Sequence, residues 1–261
     1  MNNAPIGVYD SGFGGLSVWR ELRRLLPNES LIYLGDGKNC PYGGRSRAEI
    51  EDFAMAAVER LVAEGVKMVV VGCNTATTAA VAVLRQRWSD MPIVGLEPAV
   101  KPACMTTVTR KIAVLATAHS LSSDMFLDTA ARYAEDVEVV KVVGEGFVEL
   151  VEGDMEHSQE AQDVVRRVVE PLLGRGVDKI VLGCTHYPFL RPHIEGVVKG
   201  HGIDVIDSGA AVARRVEWLL DRYDLAAEAG VTPTMRYMTF ADEGYLQRLE
   251  RKAQRIINED K

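Results

Sequence analysis

An apolar run ending in Gly-Cys occurs twice in this chain, and no other feature restricts its fold as tightly. Val66-Lys-Met-Val-Val-Val-Gly-Cys73 and Val177-Asp-Lys-Ile-Val-Leu-Gly-Cys184 are identical at four of eight positions, and 111 residues separate the two cysteines. A second pair, Ile6-Gly-Val-Tyr-Asp10 and Ile112-Ala-Val-Leu-Ala116, recurs at an offset of 106. Repetition on this scale implies two units built to one plan. Short β-branched runs alternate with longer segments of helical period, the pattern of an α/β protein with mainly parallel sheets. Strands are expected at 6–9, 31–34, 66–71, 93–96, 112–116, 137–143, 179–182, 203–206 and 235–239. Helices are expected where Ile50, Phe53, Ala57 and Leu61, and then Val212, Val216 and Leu219, recur at steps of three and four. Ser46 followed by Glu49 predicts a capping box at the start of the first of these. The stripe Val164, Val165, Val168, Val169 reads as core packing.

The Pro-bearing stretch Glu97-Pro-Ala-Val-Lys-Pro102 interrupts helix formation and marks a boundary. Residues beyond about 207 have no counterpart in the second half, so their simplest placement is back on the first unit. The expected domains are 1–97 with 207–261, carrying Asp10 and Cys73, and 98–206, carrying Cys184 and His186. Two similar α/β domains with mainly parallel sheets, related by pseudo-symmetry, would place an active site in the cleft between them.

Composition narrows the function. Thirty basic against 37 acidic residues leave a net charge of −7, and 47% of residues are apolar, which excludes a disordered or fibrous chain. Without a basic run, nucleic acid is not expected as the primary ligand. Aliphatic strings such as Met68–Val71 are too short to cross a bilayer, and residues 1–5 carry no signal-peptide pattern, so a cytoplasmic location is expected. The four cysteines, Cys40, Cys73, Cys104 and Cys184, form no C-x-x-C pair, which argues against a disulfide framework or a zinc site. Each is read as a thiol.

Both Gly-Cys runs turn polar at once, into Asn74-Thr75 and Thr185-His186. Ligands of open α/β sheets bind beyond the carboxyl ends of the strands, where following helices present N–H groups to anions. A buried free cysteine is ordinarily a small apolar filler; two in matching positions, each followed by hydrogen-bonding side chains, point to function. Racemisation needs a base on one face of a carbon and an acid on the other, with exchangeable roles. Paired thiols suit it because their reference pKa of about 8.5 lies close to neutrality. Asp10 could orient the thiol of its own domain, with Ser11 binding substrate, or either residue could cap the helix through Leu16 and Trp19. His186 is the matching partner of Cys184. His119, His157, His193 and His201 are expected at solvated positions, and Gly12-Phe-Gly14-Gly15 is read as a tight turn.

In order and spacing the chain resembles the glutamate racemases, members of the cofactor-independent aspartate/glutamate racemase superfamily. The resemblance rests on Asp10-Ser11-Gly12, Cys40-Pro41-Tyr42-Gly43, Gly72-Cys73-Asn74-Thr75, Ala116-Thr117, Glu152, Gly183-Cys184-Thr185-His186 and Ile206-Asp207-Ser208-Gly209. It implies that Cys73 handles the α-proton of D-glutamate and Cys184 that of L-glutamate. It also implies that Ser11, Asn74, Thr75, Thr117 and Thr185 hold the α-carboxylate and amino group, and that Pro41-Tyr42-Gly43 holds the side-chain carboxylate. Asp10, Glu152 and His186 match auxiliary acid/base and orienting positions. After Thr117 the chain departs from the pattern common in relatives, reading Ala118-His119-Ser120, where Ser120 keeps a hydroxyl for carboxylate binding. The resemblance further implies no metal and no other cofactor, a homodimer, and a role in supplying D-glutamate for peptidoglycan. Because the first strand begins at Ile6, activation by a cell-wall precursor through an amino-terminal extension is not expected. A racemase of another amino acid such as aspartate, a Cys-His hydrolase and a non-catalytic binding protein remain as alternatives.

Overall fold

A computed structural model describes residues 1–259 of the chain. All nine expected strands form, with ends within two residues of expectation: β1 (Ile6–Asp10), β2 (Leu31–Gly35), β3 (Met68–Val71), β4 (Ile93–Gly95), β5 (Lys111–Ala116), β6 (Glu138–Val143), β7 (Lys179–Leu182), β8 (Asp204–Ile206) and β9 (Met235–Thr239). Strand β3 starts later than its apolar run because the chain enters from Gly65 at φ 76°, and the Lys67 side chain turns to an ion pair with Glu29.

The chain divides into two compact units, residues 1–96 with the segment from Gly209 onward, and Glu97–Ser208. In the first, the strands lie in the order β4-β3-β1-β2-β9. Its helices are α1 (Leu16–Leu25), α2 (Arg47–Ala63) and α3 (Asn74–Arg87), with two more near the carboxyl end of the chain. Strands β1, β2 and β3 are buried along their whole length, as expected of parallel strands covered on both faces. The capping box forms: the Ser46 hydroxyl accepts the Glu49 N–H, and Glu49 accepts the Ser46 N–H at 2.8 Å.

In the second unit the order is β6-β5-β7-β8, again all parallel. Read from the other edge it matches the first sheet strand for strand, β5 for β1, β6 for β2, β7 for β3 and β8 for β4, leaving β9 as the added strand. The helices are α4 (Val100–Thr106), α5 (Ala118–Ser122), α6 (Asp124–Tyr133), α7 (Phe147–Glu152), α8 (Gln159–Val169) and α9 (Arg191–Val198). Ala161, Val165 and Val169 of α8 pack with Leu150, Ile180 and Leu182 in one apolar cluster.

Past Ser208 the chain re-enters the first unit through α10 (Gly209–Arg222), which packs on α1, and then β9 and α11 (Glu243–Glu259). Strand β9 pairs in parallel with β2, Leu31 opposite Met235. No described helix is long and apolar enough to cross a membrane.

Candidate active site

Both Gly-Cys elements lie at the carboxyl ends of central strands, and one packing constraint accounts for both glycines. A Cβ on Gly72 would lie 3.3 Å from the Tyr9 carbonyl oxygen, and one on Gly183 would lie 3.2 Å from that of Leu115. The two glycine N–H groups donate to those same carbonyls at 2.6 and 2.7 Å. A side chain at either position would crowd the backbone of the neighbouring strand, and each cysteine follows just beyond its sheet.

In the first unit Cys73 is the N-cap of α3. Its sulfur accepts the Ala76 N–H at 3.4 Å and meets the Ser11 hydroxyl at 3.5 Å. Donor groups at a helix N-terminus supply the polarity that a thiolate needs. Asp10 is fully buried; its carboxylate accepts the Gly12 N–H at 2.8 Å and shapes the turn that presents Ser11. Neither Asp10 nor Ser11 caps α1, whose N-cap is Gly15 without a side-chain bond. The glycine turn is tight, since a Cβ on Gly15 would come within 2.5 Å of the Asp10 Cβ. Asn74 and Thr75 are buried at the start of α3, and the Asn74 Nδ2 has no hydrogen-bond partner among the described residues. A buried amide donor without a partner is uncommon and marks a place for an acceptor. In Pro41-Tyr42-Gly43, the Tyr42 side chain is buried, Pro41 is exposed and Gly43 is half-buried.

The second unit supports its thiol differently. After Cys184 the chain makes a short 3-10 turn, Tyr187–Leu190, before α9 begins, and His186 is the N-cap of that turn. The Cys184 sulfur lies 3.7 Å from the His186 Nδ1, and the His186 Nε2 lies 2.7 Å from the Glu152 carboxylate at the end of α7. A thiol, an imidazole and a carboxylate thus form one chain, although 34 residues separate Glu152 from His186 in sequence. Thr117 caps α5 through the Ser120 N–H and donates to the Ser120 hydroxyl at 3.0 Å, so these two hydroxyls are held together. Thr185 and Ser120 are buried.

Beside each thiol stands a buried tyrosine that sequence reasoning passed over, because an aromatic at a strand end or in a turn reads as core. Burial pushes the Tyr9 phenol well above its usual range, and the charge of Cys73 adds to the effect. Burial does the same to Tyr187, with Cys184 adding. Both phenols therefore stay protonated. Among the other histidines, His157 and His201 are exposed and His119 is half-buried. His119 and His193 depart from the solvated positions expected of them: both are half-buried, and the His193 Nε2 lies 2.9 Å from the Glu156 carbonyl oxygen. Cys104 is half-buried and burial pushes its thiol up, which disfavours reactivity.

Residues 6–216 match the family described as Asp/Glu/Hydantoin racemase. The chain is 44% identical over 250 residues to the glutamate racemase of Ectopseudomonas mendocina, covering 96% of this chain and 93% of that one. It is 45% identical to that of Herpetosiphon aurantiacus, over 95% of this chain and 97% of that one. Among solved structures, Escherichia coli glutamate racemase in complex with L-glutamate and the activator UDP-MurNAc-ala superposes with a TM-score of 0.86 at 33% identity, covering 97% of this chain and 95% of that chain. The RacE1 isoform from Bacillus anthracis superposes with a TM-score of 0.85 at 30% identity, covering 99% and 95%. The chain belongs to the Asp/Glu/Hydantoin racemase family and, within it, to the glutamate racemases, which are isomerases.

Proposed function

We propose that this chain interconverts L- and D-glutamate by a cofactor-independent proton transfer between two thiols, Cys73 and Cys184. The observation that carries the mechanism is the placement of each cysteine at the carboxyl end of an equivalent strand, with polar support built around it. Acting as thiolate, Cys184 removes the α-proton of L-glutamate, and Cys73 as thiol returns a proton to the opposite face; the reverse direction exchanges the roles. Both transfers are then complete within the pair, and the scheme as drawn calls for no metal or other cofactor.

The α-proton is only weakly acidic, so negative charge developing on the α-carboxylate must be met by fixed donors. Ser11, Asn74, Thr75, Thr117, Ser120 and Thr185 are neutral hydroxyl and amide groups suited to that task, and the Asn74 Nδ2 is a buried donor without a partner among the described residues. Pro41, Tyr42 and Gly43 receive the side-chain carboxylate. Ser11, presented by the turn that Asp10 shapes, supports Cys73. His186, oriented by Glu152, supports Cys184. The enzyme would act in the cytoplasm as a homodimer and supply D-glutamate to peptidoglycan.

The test is proton NMR of L-glutamate, D-glutamate and L-aspartate in D2O, together with circular dichroism of the amino acid. Loss of the α-proton signal and of optical activity is expected for glutamate alone. Cys73→Ser and Cys184→Ser should each abolish racemisation, and ordinary turnover by either variant would overturn the two-thiol scheme. The Cys184–His186–Glu152 chain also has the makeup of a nucleophile, base and orienting group. A hydrolase built on it would need Cys184 and not Cys73, so the same pair of variants separates the readings.

A further inference from the structure

The geometry points to Tyr9 and Asp36 as positioning residues that hold the glutamate-binding elements of the first unit in register; this inference rests on the function proposed above. The Tyr42 hydroxyl donates to the Asp36 carboxylate at 2.6 Å, and 2.7 Å separates it from the Tyr9 hydroxyl. Tyr42 has one hydroxyl proton and Asp36 takes it, so the bond between the phenols runs from Tyr9 to Tyr42. Asn39 Nδ2 donates to both Asp36 carboxylate oxygens, at 3.1 and 2.9 Å. The Asp36 carbonyl accepts the N–H groups of Asn39 and Cys40. The loop leading into Pro41-Tyr42-Gly43 is thus wound about one carboxylate, with Asp36 and Tyr9 fully buried and Tyr42 2% exposed. The Tyr42 ring is held further by Phe53, 5.5 Å away between centroids.

Tyr9 also reaches the other side of the site. Its carbonyl oxygen accepts the N–H of Gly72, the residue before Cys73. One residue on β1 therefore ties the segment assigned to the substrate's side-chain carboxylate, through its hydroxyl, to the element carrying the thiol, through its backbone. Its phenol, pushed up by burial and by Cys73, remains a neutral donor throughout the working range. Tyr9 and Asp36 touch no substrate in this scheme; they act through Tyr42.

The experiment is steady-state racemisation of Tyr9→Phe in both directions, with circular dichroism of the protein to measure the folded fraction. Removing one buried neutral hydrogen bond should raise the KM for L- and D-glutamate about five- to tenfold, with kcat held within about twofold. A merely structural role would lower the folded fraction, and with it the apparent kcat, while leaving KM unchanged; that result, or unchanged kinetics, overturns the inference. Asp36→Asn, which keeps an acceptor oxygen for Tyr42, should raise KM less than Asp36→Ala, and equal KM values would also count against it. Should Tyr9→Phe not fold, Tyr42→Phe removes the same link, and an unshifted KM there overturns the inference. Failure of the underlying function is distinct, since the wild-type chain would then leave the α-proton of glutamate unexchanged.

Discussion

Replacing Lys67 by methionine should destabilise the protein far more than the loss of an ordinary ion pair. The Lys67 Nζ lies 2.6 Å from the Glu29 carboxylate, with side-chain exposures of 0% and 5%. The same ammonium donates to the Asn2 carbonyl at 2.6 Å, and the other Glu29 oxygen accepts the Ala227 N–H at 2.8 Å. The pair therefore joins the amino-terminal segment, the entry to β3 and the stretch that leads into β9. Methionine fills much of the lysine volume, so the cost comes from the Glu29 carboxylate, left buried with a single backbone donor. Breaking a buried pair in this way costs about 3–5 kcal/mol. That is a large part of a typical stability of about 5–15 kcal/mol. For a chain of this size each kcal/mol moves Tm by roughly 2–4 °C, which gives a loss of about 6–20 °C. The exposed Arg236–Glu64 pair at 2.8 Å sets the contrast, since such pairs contribute about 0–1 kcal/mol. The assay is urea and thermal denaturation of Lys67→Met, Glu29→Leu and the double variant, at low and high salt. The double variant should recover most of the loss, because it removes both charges from the interior. A Lys67→Met loss under about 1 kcal/mol, or a double variant as unstable as the sum of the singles, would refute the reasoning.

Two further outcomes follow from the same geometry. Burial raises the Asp178 carboxyl, but hydrogen bonds from the Thr107 hydroxyl and the Val108 and Thr109 N–H groups outweigh it and hold the group below its usual range. Its contribution to stability is therefore complete above the unfolded carboxylate pKa of about 3.9 and is lost as pH falls through the lower folded value. Asp178→Asn should flatten the acid limb of a stability–pH curve below about pH 4, and an unaltered limb would count against the assignment. Asn74→Ala should lower kcat/KM about 10- to 150-fold, the effect of losing a hydrogen bond to a charged group of about 1.5–3 kcal/mol. The factor must be the same in both directions because enantiomers have equal free energy. Stability should hold, since the lost Nδ2 has no partner among the described residues, and a large Tm drop with little kinetic change would contradict the reading.

The elements carried by local pattern are legible in the amino-acid sequence alone. Nine β-branched runs became nine strands, Ser46 and Glu49 made their capping box, and the recurrence of Gly-Cys marked two equivalent strand ends. The placement of the polar residues at those strand ends is legible too, because residues that follow a strand directly are fixed near its tip by chain connectivity. What adjacency does not specify was decided by tertiary packing. The pairing of β9 with β2 joins segments about 200 residues apart, and no spacing rule encodes it. The meeting of His186 with Glu152 depends on how α7 ends against the turn after β7. Likewise the chain from Tyr9 through Tyr42 to Asp36 exists only because parallel β1 and β2 bring the loop after one beside the end of the other. The two thiols show the division most plainly: identical Gly-Cys words name both, yet a full helix supplies one with a backbone donor, while a short turn supplies the other with an imidazole. Sequence periodicity determines which segments become strands and helices because it acts over a few residues. The groups that tune a reactive side chain come from wherever the sheet order brings them, and only the folded chain settles that.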